Sequence, residues 1–158
     1  MNITFITSEA YPFAKTGGLA DYSYSLPKAL AKRGHTINLF LPRYYCVDKI
    51  KYNCSLIDMP LAVPYNNGIR WSGIYKSDYL NTINVYFIEH DDFFGRDGLY
   101  DYHGIPYGDN AERFIYFNRA TLEALKQLAI VTDIIHCNDW QTALIPLFLR
   151  THYAHESI

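Results

Sequence analysis

A strand, a helix and a second strand follow one another in the opening segment, and that succession leaves this chain few folds. The apolar run from Asn2 to Thr7 reads as a buried strand. Leu19, Tyr22, Leu26, Ala29 and Leu30 recur at helical spacing and are expected to face a sheet. Pro27 falls inside that pattern, removes one backbone donor and predicts a kink or an early break. Gly34, after Lys32-Arg33, reads as the carboxyl-terminal cap. Thr36 to Leu41 then forms a second strand, stopped by Pro42. This is a βαβ unit, whose crossover is almost always right-handed.

Between the first strand and the helix lies Ser8-Glu9-Ala10-Tyr11-Pro12-Phe13-Ala14-Lys15-Thr16-Gly17-Gly18-Leu19-Ala20-Asp21. Gly17 and Gly18 let the backbone pass close to a ligand and reach conformations closed to other residues. The free N–H groups at the start of the helix favour an anion, and Lys15 adds a mobile point charge suited to phosphate. A sugar-nucleotide or phosphate site fits these residues; so does a tight turn carrying a surface lysine.

The middle of the chain changes character. Ser55 to Val63, Ile69 to Lys76 and Ile83 to Ile88 are short β-like runs, and Asn67-Gly68 is a hairpin signal between two of them. An antiparallel excursion is expected, returning to the sheet through Asn84 to Ile88. Glu89 to Asp109 is a long loop dense in Asp, Gly, Tyr and His, of the kind that is functional or mobile. Asp109 stands where it can cap the next helix, in which Ala111, Phe114, Ile115, Asn118, Leu122, Leu125 and Leu128 share most of one face. Asp133 to Cys137 is a further strand, Asn138-Asp139 opens its turn, and Thr142 to Leu149 looks helical. The alternation predicts an α/β fold, an open, mainly parallel Rossmann-like sheet with an antiparallel hairpin excursion and no internal domain boundary.

Composition narrows the function classes. At 158 residues the chain fits one domain with a substantial core, and 49% hydrophobic with 19% charged residues excludes a disordered chain. A net charge of −2 gives no reason to expect nucleic acid or an anionic membrane as partner. The apolar stretch Ala143 to Leu149 is broken by Pro146 and is too short to span a bilayer. Cys46, Cys54 and Cys137 have no paired spacing and leave one over, which reads as reduced thiols in the cytoplasm; no signal peptide precedes the first strand. His152 and His155 are not completed by a nearby Cys or acid, so no metal is expected. The 15 tyrosines suit a sugar-binding cleft, although most aromatics are ordinary core filler.

Ligands of open α/β sheets bind beyond the carboxyl ends of the strands. That rule selects Glu9 through Gly18, Arg43, His90 with Asp91 and Asp92, and His136 with Asn138, Asp139, Trp140 and Gln141. Simpler readings stand beside the functional ones: Asp139 as a helix cap, His136 as a satisfied core histidine and Trp140 as a buried aromatic.

Three stretches now resemble a known family. Lys15-Thr16-Gly17-Gly18-Leu19-Ala20-Asp21, preceded by Ser8-Glu9 and Pro12, resembles the amino-terminal signature of bacterial glycogen synthases and plant starch synthases. Tyr107-Gly108-Asp109-Asn110-Ala111-Glu112-Arg113-Phe114 and His136-Cys137-Asn138-Asp139-Trp140-Gln141-Thr142-Ala143-Leu144 resemble two further segments of that family, in the same order. Gln141 departs from the histidine that many members carry. The resemblance implies the amino-terminal, acceptor-side half (residues 1–158) of a two-domain GT-B glycosyltransferase. Such an enzyme retains configuration as it moves glucose from ADP-glucose to the non-reducing 4-hydroxyl of an α-1,4-glucan. It implies that Lys15 contacts the donor phosphates, that Gly17 and Gly18 allow close approach, and that Asp21 fixes the loop or touches the sugar side. Tyr100 and Asn110 are implied to line the sugar or acceptor path, and Asp139 to bond hydroxyls at the catalytic centre. No cofactor is implied beyond ADP-glucose as donor substrate. The family enzymes are much longer: their next segment, a strand ending in a histidine-asparagine pair, and their carboxyl-terminal donor-binding domain are missing here. The chain alone is therefore expected to be inactive.

Two other readings remain at this stage. One is a non-catalytic α-glucan-binding module on the same fold. The other is an unrelated nucleotide-binding or flavodoxin-like domain, against which stands the absence of Walker and G-x-G-x-x-G spacings.

Overall fold

The computed structural model describes residues 1–156 and residue 158. In chain order the elements are β1 (Asn2–Ile6), α1 (Gly18–Ala31), β2 (Thr36–Pro42), β3 (Cys54–Leu56), β4 (Leu61–Tyr65), β5 (Gly68–Ser77) and β6 (Asn84–Glu89). They continue with α2 (Asp91–Phe94), β7 (Asp101–Tyr102), β8 (Ile105–Pro106), α3 (Asn110–Gln127), β9 (Ile134–Cys137), a 3-10 turn (Trp140–Thr142) and α4 (Ile145–Arg150).

A seven-stranded sheet runs in the order β3-β5-β6-β2-β1-β9, with β4 pairing β5 off that path. β6, β2, β1 and β9 are mutually parallel, with Ile3 opposite both Ile37 and Ile134 and Phe40 opposite Tyr86. β5 runs antiparallel to β6, and β3 and β4 run antiparallel to β5. The mainly parallel α/β sheet with an antiparallel excursion is therefore the observed fold. Central strands of such sheets are covered on both faces, and Phe5, Ile6, Leu39, Phe40, Phe87 and Ile88 are fully buried. Fully burying a side chain of this size stabilises by roughly 1.5–3 kcal/mol.

Several local expectations shift. In α1 the buried residues are Ala20, Ser23 and Pro27, with Leu26 and Leu30 half-buried and Tyr22 and Ala29 exposed. The buried stripe is displaced because small residues let the helix sit close over β2 and the residue that follows β1, where the Ser23 hydroxyl meets Thr7 Oγ1 at 3.0 Å. Pro27 does not break α1, which runs on to Ala31. Gly34 ends the helix as expected: at φ +86° it donates to the Ala31 carbonyl while His35 N–H reaches back to Leu30.

The run Ser55 to Val63 is two strands, not one. Pro60 has no N–H to give a ladder, and the chain turns at Met59, whose N–H bonds the Ile57 carbonyl. The β4–β5 hairpin closes with Tyr65 opposite Gly68, so its loop is Asn66-Asn67, with Asn66 at φ +52°. Gly68 is the first residue of β5 and not a loop residue. In α3 the buried face is broader than the spacing suggests: it includes Arg113, Tyr116, Phe117, Ala120 and Thr121, while Ala111 and Ile115 are exposed. The helix packs on β4 as well as against the 3-10 turn and α4, so one stripe is not enough. The loop from Glu89 to Asp109 is ordered by α2 and by the small β7–β8 hairpin.

Candidate active site

The glycine turn is held from beneath by a carboxylate. Glu9 is 3% exposed and accepts four hydrogen bonds. Its Oε2 takes Thr16 N–H at 2.6 Å and Gly17 N–H at 3.2 Å; its Oε1 takes Thr16 Oγ1–H at 2.7 Å and Tyr100 Oη–H at 2.8 Å. Burial alone raises the Glu9 pKa, but the bonds from Thr16, Tyr100 and Gly17 outweigh it and hold the carboxyl below its ordinary value. The residue is an anionic strut: it fixes the turn while taking no part in its outer surface.

That outer surface is open. Lys15, Thr16, Gly17 and Gly18 are exposed, and Lys15 Nζ stands 2.6 Å from both carboxylate oxygens of Asp21 in the first turn of α1. Gly17, the amino-cap residue of α1, gives its own N–H to Glu9 and has no side chain with which to cap the helix, so the N–H groups of Gly18 to Ala20 remain available to an anion. Neither Gly17 nor Gly18 has a positive φ, and a Cβ built on either meets nothing within 4 Å. The expectation of special backbone conformations there fails. What survives is the clearance: nothing among the described residues requires glycine at either position, so the open space faces outward.

Tyr100 and Asn110 join this cluster from the other side. The Tyr100 hydroxyl meets Ser8 Oγ at 2.7 Å as well as Glu9. Burial pushes its phenol pKa well up, and the neighbouring charges of Glu9 and Asp139 add to the shift, so Asp139 acts on the same cluster. Asn110 donates from Nδ2 to the Tyr100 carbonyl at 2.9 Å and accepts Arg113 Nη1–H at 2.6 Å. Both ends of its amide are thus spent on positioning the loop. Asp109 occupies the amino-cap position of α3 but makes no capping bond; Arg96 takes both its oxygens at 2.8 and 2.7 Å and lowers its pKa. Arg113 is fully buried, donates to the Phe93 carbonyl at 2.7 Å, and leaves Nη2 without a partner among the described residues.

Asp139 follows β9 on the same rim. It is exposed, at φ +65° and ψ 179°, and its Oδ1 accepts Trp140 N–H at 2.7 Å. It therefore is a cap, in a backbone region almost confined to glycine that costs of order 1–3 kcal/mol. Strain of this kind is kept where surrounding structure over-determines it: Asn138 N–H and Nδ2 both reach the Ile6 carbonyl, and Thr142 Oγ1 bonds the Asn138 carbonyl. Trp140 is half-exposed and meets Phe114 edge-on at 5.2 Å. His136 is sandwiched, its ring 4.6 Å from Phe5 and its Nε2 3.4 Å from Tyr22 Oη.

The expected residues thus divide. Lys15, Gly17, Gly18, Asp21 and Asp139 present outward on one rim, while Tyr100 and Asn110 work mainly within it. Sequence reasoning placed Glu9 in a motif without a role, and gave none to Arg113. Among the described residues no group of His, Cys, Asp and Glu is placed to hold a metal ion. Among the described residues no helix is long and apolar enough to cross a membrane.

The starch synthase catalytic domain family matches residues 2–158. The chain belongs to that family. It is 43% identical over 156 residues to the glycogen synthase of Syntrophotalea carbinolica, covering 99% of this chain and 32% of the relative. It is 44% identical over 162 residues to that of Caldicellulosiruptor saccharolyticus, covering 98% and 31%. Among solved structures, the catalytic domain of Arabidopsis thaliana starch synthase IV, bound to ADP and acarbose, superposes with a TM-score of 0.89 at 32% identity. That match covers 99% of this chain and 31% of that one. The chain therefore spans less than a third of the length of the relatives it matches, and its fold is that part of the family's GT-B architecture.

Proposed function

We propose that residues 1–158 belong to the acceptor-side, amino-terminal domain of a glycogen or starch synthase. In this reading the longer enzyme transfers glucose from ADP-glucose to the 4-hydroxyl of an α-1,4-glucan, in the cytoplasm, with a second domain completing the donor site. The observation that carries it is the Lys15–Asp21 turn: an uncapped helix end, a movable cation and two glycines that leave clearance for something outside the chain. Support comes also from the ADP and acarbose bound by the Arabidopsis relative. Lys15 and the amino end of α1 stabilise the charge that develops on the leaving diphosphate, and Asp139 accepts hydroxyls of the transferred glucose or the acceptor. ADP-glucose enters as donor substrate and no cofactor is called on.

The test compares the 158-residue chain with the longer protein that contains it, using ADP-glucose, UDP-glucose and maltoheptaose. The chain alone gives no elongation; the longer protein elongates with ADP-glucose. Lys15→Ala in the longer protein lowers kcat by roughly 10²- to 10³-fold, the scale of losing one charge-stabilising donor. Glucan binding with no elongation by the longer protein points instead to a non-catalytic glucan-binding module.

A further inference from the structure

The turn that carries Asp139 is tied down by Asn138 and Thr142, and a further tie reaches it from α3. Asn118 lies in the interior of that helix and is 1% exposed. Both hydrogens of its Nδ2 are used: one goes to the Phe114 carbonyl of its own helix, the other to the Gln141 carbonyl at 2.6 Å, 23 residues on. Gln141 is itself buried, and its carbonyl stands at the break between the 3-10 turn and α4. Among the described residues no backbone N–H reaches that carbonyl. Asn118 therefore satisfies a buried backbone acceptor that the neighbouring peptides leave unmet.

Stability alone does not select asparagine at this place. It is a poor helix former, and its Oδ1 is buried without a partner among the described residues. A leucine would fill similar space with no orphaned atom of its own, but it could not donate. Successive turns of α3 act on the same element: Phe114 meets Trp140 edge-on at 5.2 Å, and Asn118, one turn later, holds Gln141. Thr121, equally buried a turn further on, keeps its hydroxyl within the helix, on the Phe117 carbonyl at 2.9 Å.

We propose that Asn118 is a positioning residue for Asp139. The proposal rests on the glucosyl-transfer reading above and adds to it a group that keeps Asp139 at φ +65° and ψ 179°. A backbone of this kind persists only where its surroundings over-determine it. Asn138 ties the turn to β1 through the Ile6 carbonyl, Thr142 closes it on the Asn138 carbonyl, and Asn118 ties it to α3. Freed at Gln141, the turn can relax by peptide rotation and carry the Asp139 carboxylate away from the place where it accepts sugar hydroxyls. Misplacement by about 1 Å can cost roughly 10²-fold in turnover, so a residue buried behind the site controls the rate.

The test uses Asn118→Leu and Asn118→Ser. The serine can keep the bond to the Phe114 carbonyl, as Thr121 bonds Phe117, and loses only the reach to Gln141. In the longer protein both are expected to lower kcat about 10- to 10²-fold with KM for ADP-glucose within about twofold, while Thr121→Val leaves kcat unchanged. Asn118→Leu combined with Asp139→Ala is expected to be no slower than Asp139→Ala alone, because Asn118 acts through Asp139. Losses that multiply in the double variant, an unchanged kcat in Asn118→Ser, or an equal loss in Thr121→Val would each overturn the proposal. Hydrogen exchange in the 158-residue chain reads the tie without any activity. The Thr142 and Ala143 amides, which close the turn on the Asp139 and Trp140 carbonyls, are expected to exchange about tenfold faster in Asn118→Ser. Unchanged exchange would overturn the tie itself. Faster exchange, with a longer protein that transfers no glucose, would remove the glucosyl-transfer reading and the positioning role with it, leaving only the structural tie.

Discussion

Glu9 is the residue whose replacement should reveal how the turn is held. Its two oxygens divide the load: Oε2 takes two backbone N–H groups, and Oε1 takes two hydroxyls. Glu9→Gln can keep a carbonyl oxygen toward the backbone pair and turn its amide toward the hydroxyls, which can accept as well as donate. It loses mainly the charge, and the expected cost is about 1–2 kcal/mol. Glu9→Ala leaves four donors without their acceptor. Water reaches part of this rim, so the expected cost is about 2–4 kcal/mol rather than the full sum of four desolvated groups. Urea unfolding measures both, and hydrogen exchange at Thr16 and Gly17 localises the loss. The pH dependence has a definite sign. Because the folded pKa is lowered, the Glu9 contribution is present above the unfolded value near ~4.3 and is lost as the pH falls through the folded value. Glu9→Gln should flatten that acid limb. The strut reasoning is refuted if Glu9→Ala is within about 0.5 kcal/mol of wild type, the range of ordinary surface substitutions.

Two further perturbations separate fold from function. Gly17→Ala and Gly18→Ala should each leave thermal stability unchanged or slightly raised, since the added methyl meets nothing. Titration with ADP in the longer protein should show weakened binding in both, and unaltered affinity would remove the clearance argument. Asp139→Gly should be close to wild type in urea, because relief of roughly 1–3 kcal/mol of backbone strain offsets the lost bond to Trp140 and the entropy of glycine. A loss above about 2 kcal/mol would mean that the strain is not there.

How much was legible depended on whether the signal was local. β1, β2 and β6 were readable because strands in the middle of a sheet are mostly apolar, with only Thr4 and Asn38 interrupting β1 and β2. The Gly34 stop was readable because its φ requirement is local. The broken run at Met59-Pro60 carried its own signal in the proline, outweighed in the reading by the β-like residues around it. The one-residue slip of the Asn66-Asn67 loop was not legible, since either register satisfies the same turn residues.

The sequence by itself determined the βαβ opening, the parallel sheet and which segments reach its carboxyl-terminal rim, because chain periodicity and crossover handedness are properties of short stretches. The tertiary structure decided what each rim residue does. It turned α1 onto Ala20 and Ser23 because Thr7 waits beneath them. It gave Asp109 to Arg96 in place of a cap, and committed Asn110 to Tyr100 and Arg113. It brought Tyr100 onto Glu9, 91 residues away, making one carboxylate the support of the turn that holds Lys15. Partners so far apart in sequence meet only when the sheet is assembled, and no local pattern encodes the meeting.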